Sequence, residues 1–202
     1  MSQILGVLAG TPNAIVRLWA TPCLCGKKMK KQELIKRIRQ TAYLEGDFTL
    51  RSGKKSKYYL DKYLFETCPD ILKALAEEFA KYVCDDVTLI AGAELGGVAL
   101  AAATAIETGK NWVIIRSTKK TYGTKKMIEG ILKPKDVVLL VEDIATTGGQ
   151  VIEAAKIITK AGASVKKIVC VIDRKEAAEK NITTAGYKFD SILTKYDLGI
   201  KD

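Results

Sequence analysis

Apolar positions along this chain follow two periods in turn. Lys31–Tyr43 sets Leu34, Ile35, Ile38 and Ala42 on one helical face. Asp70–Val83 does the same with Ile71, Leu72, Leu75, Phe79 and Val83, behind Pro69 at a helix start. Short continuous apolar runs then stand between turn residues: Val87–Ala91, Trp112–Arg116, Val137–Val141, Lys167–Asp173, and the FDSILT of the tail. Runs of that length, rich in β-branched residues, read as strands buried on both faces. Val98–Glu107, alanine-rich, and the VIEAAKIITKAG that follows Gln150 supply helices between them. From Leu34 onward helix and strand alternate. That order predicts an α/β fold with a parallel-dominated sheet, helices on both faces and a ligand crevice at the carboxyl ends of the strands.

The stretch that carries chemistry is Val137–Gln150, VVLLVEDIATTGGQ. The strand is expected to stop at the adjacent carboxylates Glu142 and Asp143. Ile144, Ala145, Thr146, Thr147, Gly148, Gly149 and Gln150 then lead into the next helix. Loop N–H groups, threonine hydroxyls and a helix N-terminus converge well on a phosphate. The carboxylates repel that phosphate, so they are expected to face sugar hydroxyls or a divalent metal. Neither G-x-x-x-x-G-K-[ST] nor G-x-G-x-x-G occurs, which sets aside the P-loop and the dinucleotide fingerprint. A second glycine-rich turn, Gly92-Ala-Glu-Leu-Gly-Gly97, feeds the alanine-rich helix and by itself is no more than a tight connection.

Composition narrows the chemistry. The 202 residues suit one domain with a full core, and a net charge of +10 suits a polyanionic ligand. No helix carries a basic stripe interleaved with aromatics, so a solvated basic surface is favoured over a nucleic-acid site. Histidine is absent, which leaves carboxylates, lysines, arginines and backbone to do any acid–base work. Five cysteines without C-x-x-C spacing indicate neither a disulfide framework nor a zinc site, and point to a reducing cytoplasm. No apolar run approaches the ~20 residues of a membrane span. Residues 1–28, broken by Pro12 and Pro22, read as a loosely attached extension ahead of a domain over 29–202. Ser117–Leu132 is long, basic and poor in apolar residues, as a functional lid over a polyanion would be.

The acidic pair followed by the TTGG loop resembles the phosphoribosyl-pyrophosphate (PRPP) motif of type I phosphoribosyltransferases. Phe48-Thr-Leu-Arg51-Ser-Gly53 with the following Ser56-Lys-Tyr-Tyr59 is similar to the opening segment of the orotate phosphoribosyltransferases. Arg116, Lys120 and Gly123 match that family's loop pattern, while Ser117 and Tyr122 stand where it has lysine and histidine. Arg174, at the end of the KIVCVID strand, sits where the family has an arginine. The resemblance covers about residues 30–198 and implies a small N-terminal hood over about 30–66. It implies transfer of 5-phosphoribosyl from PRPP to orotate, giving orotidine 5′-phosphate and pyrophosphate in de novo pyrimidine (UMP) synthesis. It further implies Mg²⁺ bound mainly through PRPP, and a homodimer whose basic loop 117–130 lies near the partner's site.

By the same resemblance Glu142 and Asp143 meet the ribose, Thr146, Thr147, Gly148 and Gly149 hold the 5′-phosphate, and Ile144, Ala145 and Gln150 are further substrate-binding residues. Thr146 is also near orotate, and the turn at 92–97 lies beside the pyrophosphate. Arg174 pairs with the orotate carboxylate, which its planar fork suits. Arg51, Tyr59 and Arg116 contact base or PRPP, and Lys120 acts from the loop, so that Lys120 and Asp143 are the expected catalytic residues. Two other classes stay open: transfer to another nucleobase, and a non-catalytic PRPP-sensing regulator. Arg174 speaks for an acidic base, and no helix-turn-helix is recognisable in the extension.

Overall fold

The computed structural model describes residues 28–49, 55–117 and 126–201. The chain opens with α1 (Lys31–Ala42), and a hairpin of β1 (Tyr43–Thr49) and β2 (Lys55–Leu60) follows. Two more helices come next, α2 (Lys62–Glu66) and α3 (Pro69–Ala80). The main sheet then alternates with helices: β3 (Leu89–Ala93), α4 (Gly96–Thr108), β4 (Asn111–Ile115), β5 (Ile128–Glu129), β6 (Val137–Ala145), α5 (Gly149–Lys160), β7 (Ser164–Asp173), α6 (Ala178–Thr184) and β8 (Phe189–Thr194).

The six-stranded sheet has the order β5-β4-β3-β6-β7-β8. All neighbours are parallel except the short edge strand β5, which runs antiparallel to β4. Residues of β6 alternate between two separate cores, as a period of two requires. Leu139 and Val141 join Leu34, Ile38, Leu75, Phe79 and Leu100 on the face covered by α1, α3 and α4. Val138 and Leu140 join Val151, Ala155, Ile158 and Ile182 on the face covered by α5 and α6. Both faces are therefore closed, and the expected architecture is the observed one.

Several boundaries differ from the sequence reading. β6 does not stop at the acidic pair: it runs through Glu142 and Asp143 to Ala145, because β7 is long enough to pair with it as far as Ala145↔Asp173. Glu142 and Asp143 thus project from a strand instead of a loop. Helix α4 begins at the double glycine, two residues ahead of Val98. The short helices α2 and α6 were not expected; five and seven residues are too few to display a periodic stripe. The two-residue β5 breaks the basic stretch expected as one long loop. The extension at 1–28 lies, apart from Lys28, outside the described residues, as do residues 50–54 and 118–125.

Helix α4 lies unusually close to the sheet. A Cβ on Gly92 would fall 2.1 Å from the Gly97 carbonyl oxygen, and one on Gly97 would fall 2.7 Å from that of Val141. Backbone meets backbone at both positions, so neither neighbour can give way cheaply. Gly92→Ala is expected to force α4 outward and to cost about 1–3 kcal/mol, as overpacked cores do. Urea unfolding of the variant checks this; an unchanged midpoint would contradict the close packing.

Candidate active site

The carboxyl ends of β3, β6 and β7 meet at one edge of the sheet, where the order of connections reverses about β6. A cavity of about 290 Å³ opens there, lined by Lys62 and by Glu142 through Val151. Its floor is the turn between β6 and α5. The carbonyls of that turn are occupied from behind: Arg174 N–H donates to Ala145 O at 3.0 Å, Ala177 N–H to Thr146 O at 3.1 Å, and Asn181 Nδ2 to Thr147 O at 2.9 Å. With the carbonyls held on that side, the turn is left to present its N–H groups and hydroxyls to the cavity.

Gly148 sets the geometry of the turn. Its φ of +74° is in the left-handed region, and a Cβ there would fall 2.9 Å from Ile182 Cγ1. No side chain caps α5, so its first N–H groups have no partner within the helix and face the cavity. An anion is their natural partner. Ile144 to Gln150, the residues expected to bind substrate, are thus brought together along one wall. Gln150 also donates from Nε2 to Glu94 O at 2.6 Å, tying this wall to the turn after β3.

The acidic pair lies deeper. Glu142 and Asp143 are 8% and 2% exposed, and Asp143 Oδ2 accepts from Lys62 Nζ at 2.5 Å. Glu66 is buried on the same side at 5% exposure. A Cβ at Gly96 would fall 1.5 Å from Asp143 Oδ2 and 3.1 Å from Glu66 Oε1, so the two carboxyls are neighbours over the start of α4. Three carboxyls therefore share one ammonium. Burial and the charge of Asp143 push Glu142 well above the usual carboxylate range. The same two causes push Glu66 up to about 8. Burial works against the Lys62 ammonium, but Asp143 beside it outweighs burial and holds its pKa above the ordinary lysine value. Glu142 Oε2 and Glu66 Oε1 are buried oxygens without a hydrogen-bond partner.

Arg174 stands at the carboxyl end of β7, in line with the cavity but beyond its rim. Its Nη2 donates to Tyr58 Oη at 3.4 Å, and its Nε lies 3.3 Å from Glu176. Tyr58 in turn stacks on Tyr43, ring centroids 5.7 Å apart. Tyr59, expected against a base, points to the other face of the hairpin and packs on Phe48, centroids 5.5 Å apart. Tyr58, not Tyr59, is the tyrosine that reaches Arg174. Arg116 lies on the opposite flank, 3.7 Å from Glu94 and 4.0 Å from Glu129. Ser117 N–H donates to the same Glu94 at 3.2 Å. Arg51 and Lys120 lie outside the described residues.

Lys62 and Glu66 were not among the expected site residues. Both sit on α2, one turn apart, and only the fold carries that helix to β6. A signal was present in Asp61, an N-cap type of residue whose carboxylate accepts from Tyr63 N–H and starts the helix. Among the described residues no three His, Cys, Asp or Glu side chains gather as a metal site, and Asp143 already holds an ammonium. This donor set fits an ion carried on a ligand's own oxygens better than one caged by protein.

Comparison with known proteins gives the site a family context. Residues 65–194 match the phosphoribosyl transferase domain family. The orotate phosphoribosyltransferase of Natronomonas pharaonis is 43% identical over 171 residues, spanning 84% of this chain and 98% of that protein. That of Pyrococcus abyssi is 44% identical over 172 residues, spanning 83% and 94%. Among solved structures, Mycobacterium tuberculosis orotate phosphoribosyltransferase superposes with a TM-score of 0.77 at 27% identity, over 84% of this chain and 99% of that one. The same enzyme in complex with PRPP superposes at 0.73, over 84% and 99%.

The buried carboxyls set a pH dependence. Glu66 binds its proton more tightly folded than unfolded, so its contribution to stability is complete at acidic pH. That contribution is lost as pH rises from the ordinary carboxylate range through about 8. Glu66→Gln, which cannot ionise, is expected to lose less stability than the parent protein on going from about pH 5 to about pH 9. Thermal unfolding of both proteins across that range measures the difference; parallel curves would rule it out.

Proposed function

The chain belongs to the orotate phosphoribosyltransferases of the phosphoribosyl transferase domain family, and from that premise we propose how its residues carry out the reaction. The enzyme joins C1 of the ribose of PRPP to N1 of orotate while the bond from C1 to the diphosphate breaks. Pyrophosphate leaves with the bonding electrons, and the ring proton of orotate goes to solvent. The product, orotidine 5′-phosphate, is the precursor of UMP in pyrimidine synthesis.

The turn Ile144–Gln150 takes the 5′-phosphate on its N–H groups, the threonine hydroxyls and the start of α5. Glu142 and Asp143 take the ribose hydroxyls, with burial and the charge of Asp143 pushing Glu142 well above the usual carboxylate range. As pyrophosphate departs, C1 gains positive charge, and Asp143 as an anion beside the sugar stabilises it. Mg²⁺, bound through the oxygens of PRPP, would supply charge neutralisation for the leaving pyrophosphate. Lys120 and Arg116 add to that neutralisation from the basic side of the site. A base whose ring nitrogen ionises readily needs no protein general base, consistent with a chain that has no histidine.

What supports orotate as the base is the position of Arg174, at the strand end next to the phosphate turn and reaching Tyr58 of the hairpin. A guanidinium there offers two parallel donors to a carboxylate, and Tyr58 offers a ring edge or face to the pyrimidine. Arg51, in the same hood segment, is taken as a contact for base or PRPP. By the same reading the protein is a homodimer, with the basic loop 117–130 near the partner's site. No helix among the described residues is long and apolar enough to cross a membrane, and we assign the enzyme to the cytoplasm.

Loss of orotate absorbance on mixing protein, PRPP, Mg²⁺ and orotate measures the reaction. Arg174→Ala is expected to lower kcat/KM for orotate by about 10²-fold, as the loss of a charge-assisted pair worth about 3 kcal/mol would. PRPP affinity should stay near the parent value. Lys120→Ala should reduce turnover with orotate affinity largely kept. Unchanged use of orotate by the Arg174 variant would exclude Arg174 as the base-recognition residue.

A further inference from the structure

The ammonium of Lys62 is not accounted for by the phosphate turn, the ribose carboxylates or the base-recognition arginine. It enters the cavity from α2, outside the sheet, and among the described residues is the one cationic side chain lining the cavity. It is about one-third exposed, with its Nζ 2.5 Å from Asp143 Oδ2 and 5.1 Å from the Tyr63 ring centroid. Asp143 is the carboxylate that ribose hydroxyls are to engage. Free of ligand, the protein therefore holds that carboxylate with its own lysine.

We propose that Lys62 is a diphosphate-binding residue that exchanges Asp143 for the 1-diphosphate of PRPP when the ribose docks, an inference that rests on the PRPP reading of the site. PRPP has three polar parts in a fixed order: a 5′-phosphate, a diol and a 1-diphosphate. The turn at Thr146–Gln150 takes the first and the acidic pair takes the second. The third must then lie past the acidic pair, away from the turn. On that side stand Lys62, Glu66 and the start of α4, where the absence of a side chain at Gly96 lets the Asp143 carboxylate lie against the helix.

Charge balance requires a cation there. A diphosphate brought next to the buried Asp143 carboxylate without one would be repelled by it. Exchange of partners keeps both buried charges compensated, because the ribose hydroxyls donate to Asp143 as the ammonium leaves it. Lysine suits the task, since its flexible stem lets a point charge move a few ångströms between two oxygen acceptors.

The test compares PRPP with ribose 5-phosphate, which keeps the phosphate and the diol but lacks the diphosphate. Both are titrated calorimetrically, in Mg²⁺ buffer without orotate, into the parent protein, Lys62→Gln and Lys62→Arg. Loss of one charge-assisted contact predicts a rise of about tenfold or more in the Kd of Lys62→Gln for PRPP. Its Kd for ribose 5-phosphate should stay within about twofold, and Lys62→Arg should recover part of the PRPP affinity. Equal weakening of both ligands would show that Lys62 acts only through the fold, and an unchanged PRPP affinity would remove it from the site; either result overturns the inference. Failure of the parent protein to bind either ligand would instead overturn the PRPP reading itself, and this inference with it.

Discussion

Burying a carboxylate at the end of a central strand is costly unless a charge of opposite sign meets it there, and Asp143 is met by Lys62. Asp143 belongs to β6, a central strand flanked by β3 and β7, and is buried at 2% exposure. Its partner comes from α2, a helix of five residues outside the sheet. The pair thus anchors the segment after the hairpin to the sheet at the point where the site forms. Removing the lysine would leave three carboxyls together in a region poor in water, where burial and Asp143 already push Glu66 and Glu142 above the usual carboxylate range.

That arrangement depends on glycine in a specific way. Gly92 and Gly97 let α4 settle on β3 and β6 at backbone contact, and Gly96 between them lets the Asp143 carboxylate lie against the start of the helix. Side chains at these positions would lift α4 and open a gap where Asp143 and Glu66 now touch. The turn at Gly148 is similarly constrained, by its backbone angle and by Ile182 behind it. The cavity therefore has one wall built to receive an anion and one built around carboxyls. A sugar phosphate with a free diol satisfies both at once, whereas a simple polyanion would satisfy only the first.

The hairpin adds the third side. Tyr58 faces Arg174 and stacks on Tyr43, while Tyr59 turns away toward Phe48. The strand period alone decides which of two adjacent tyrosines meets the sheet, and a one-residue difference in register would reverse them. Two carboxyl-rich elements and one aromatic element thus converge from separate parts of the chain, with α5 supplying the positive end of its dipole beneath them.

Local pattern carried most of the fold. The apolar runs of β3, β4, β6, β7 and β8 and the helical faces of α1 and α3 are visible as periodicity, because each buries a stripe or both faces against a neighbour. The turn between β6 and α5 was legible too, since Thr146, Thr147, Gly148 and Gly149 are adjacent in sequence and line one wall of the cavity. The place of Arg174 just past the end of β7 was legible from the apolar run before it. Tertiary structure alone decided the rest: that β6 carries its acidic pair inside the sheet, that Tyr58 and not Tyr59 reaches Arg174, and that Lys62 and Glu66 surround Asp143. Those contacts join residues some eighty positions apart. No local periodicity encodes such a pairing; it follows from where α2 is set down once the sheet and α4 have packed.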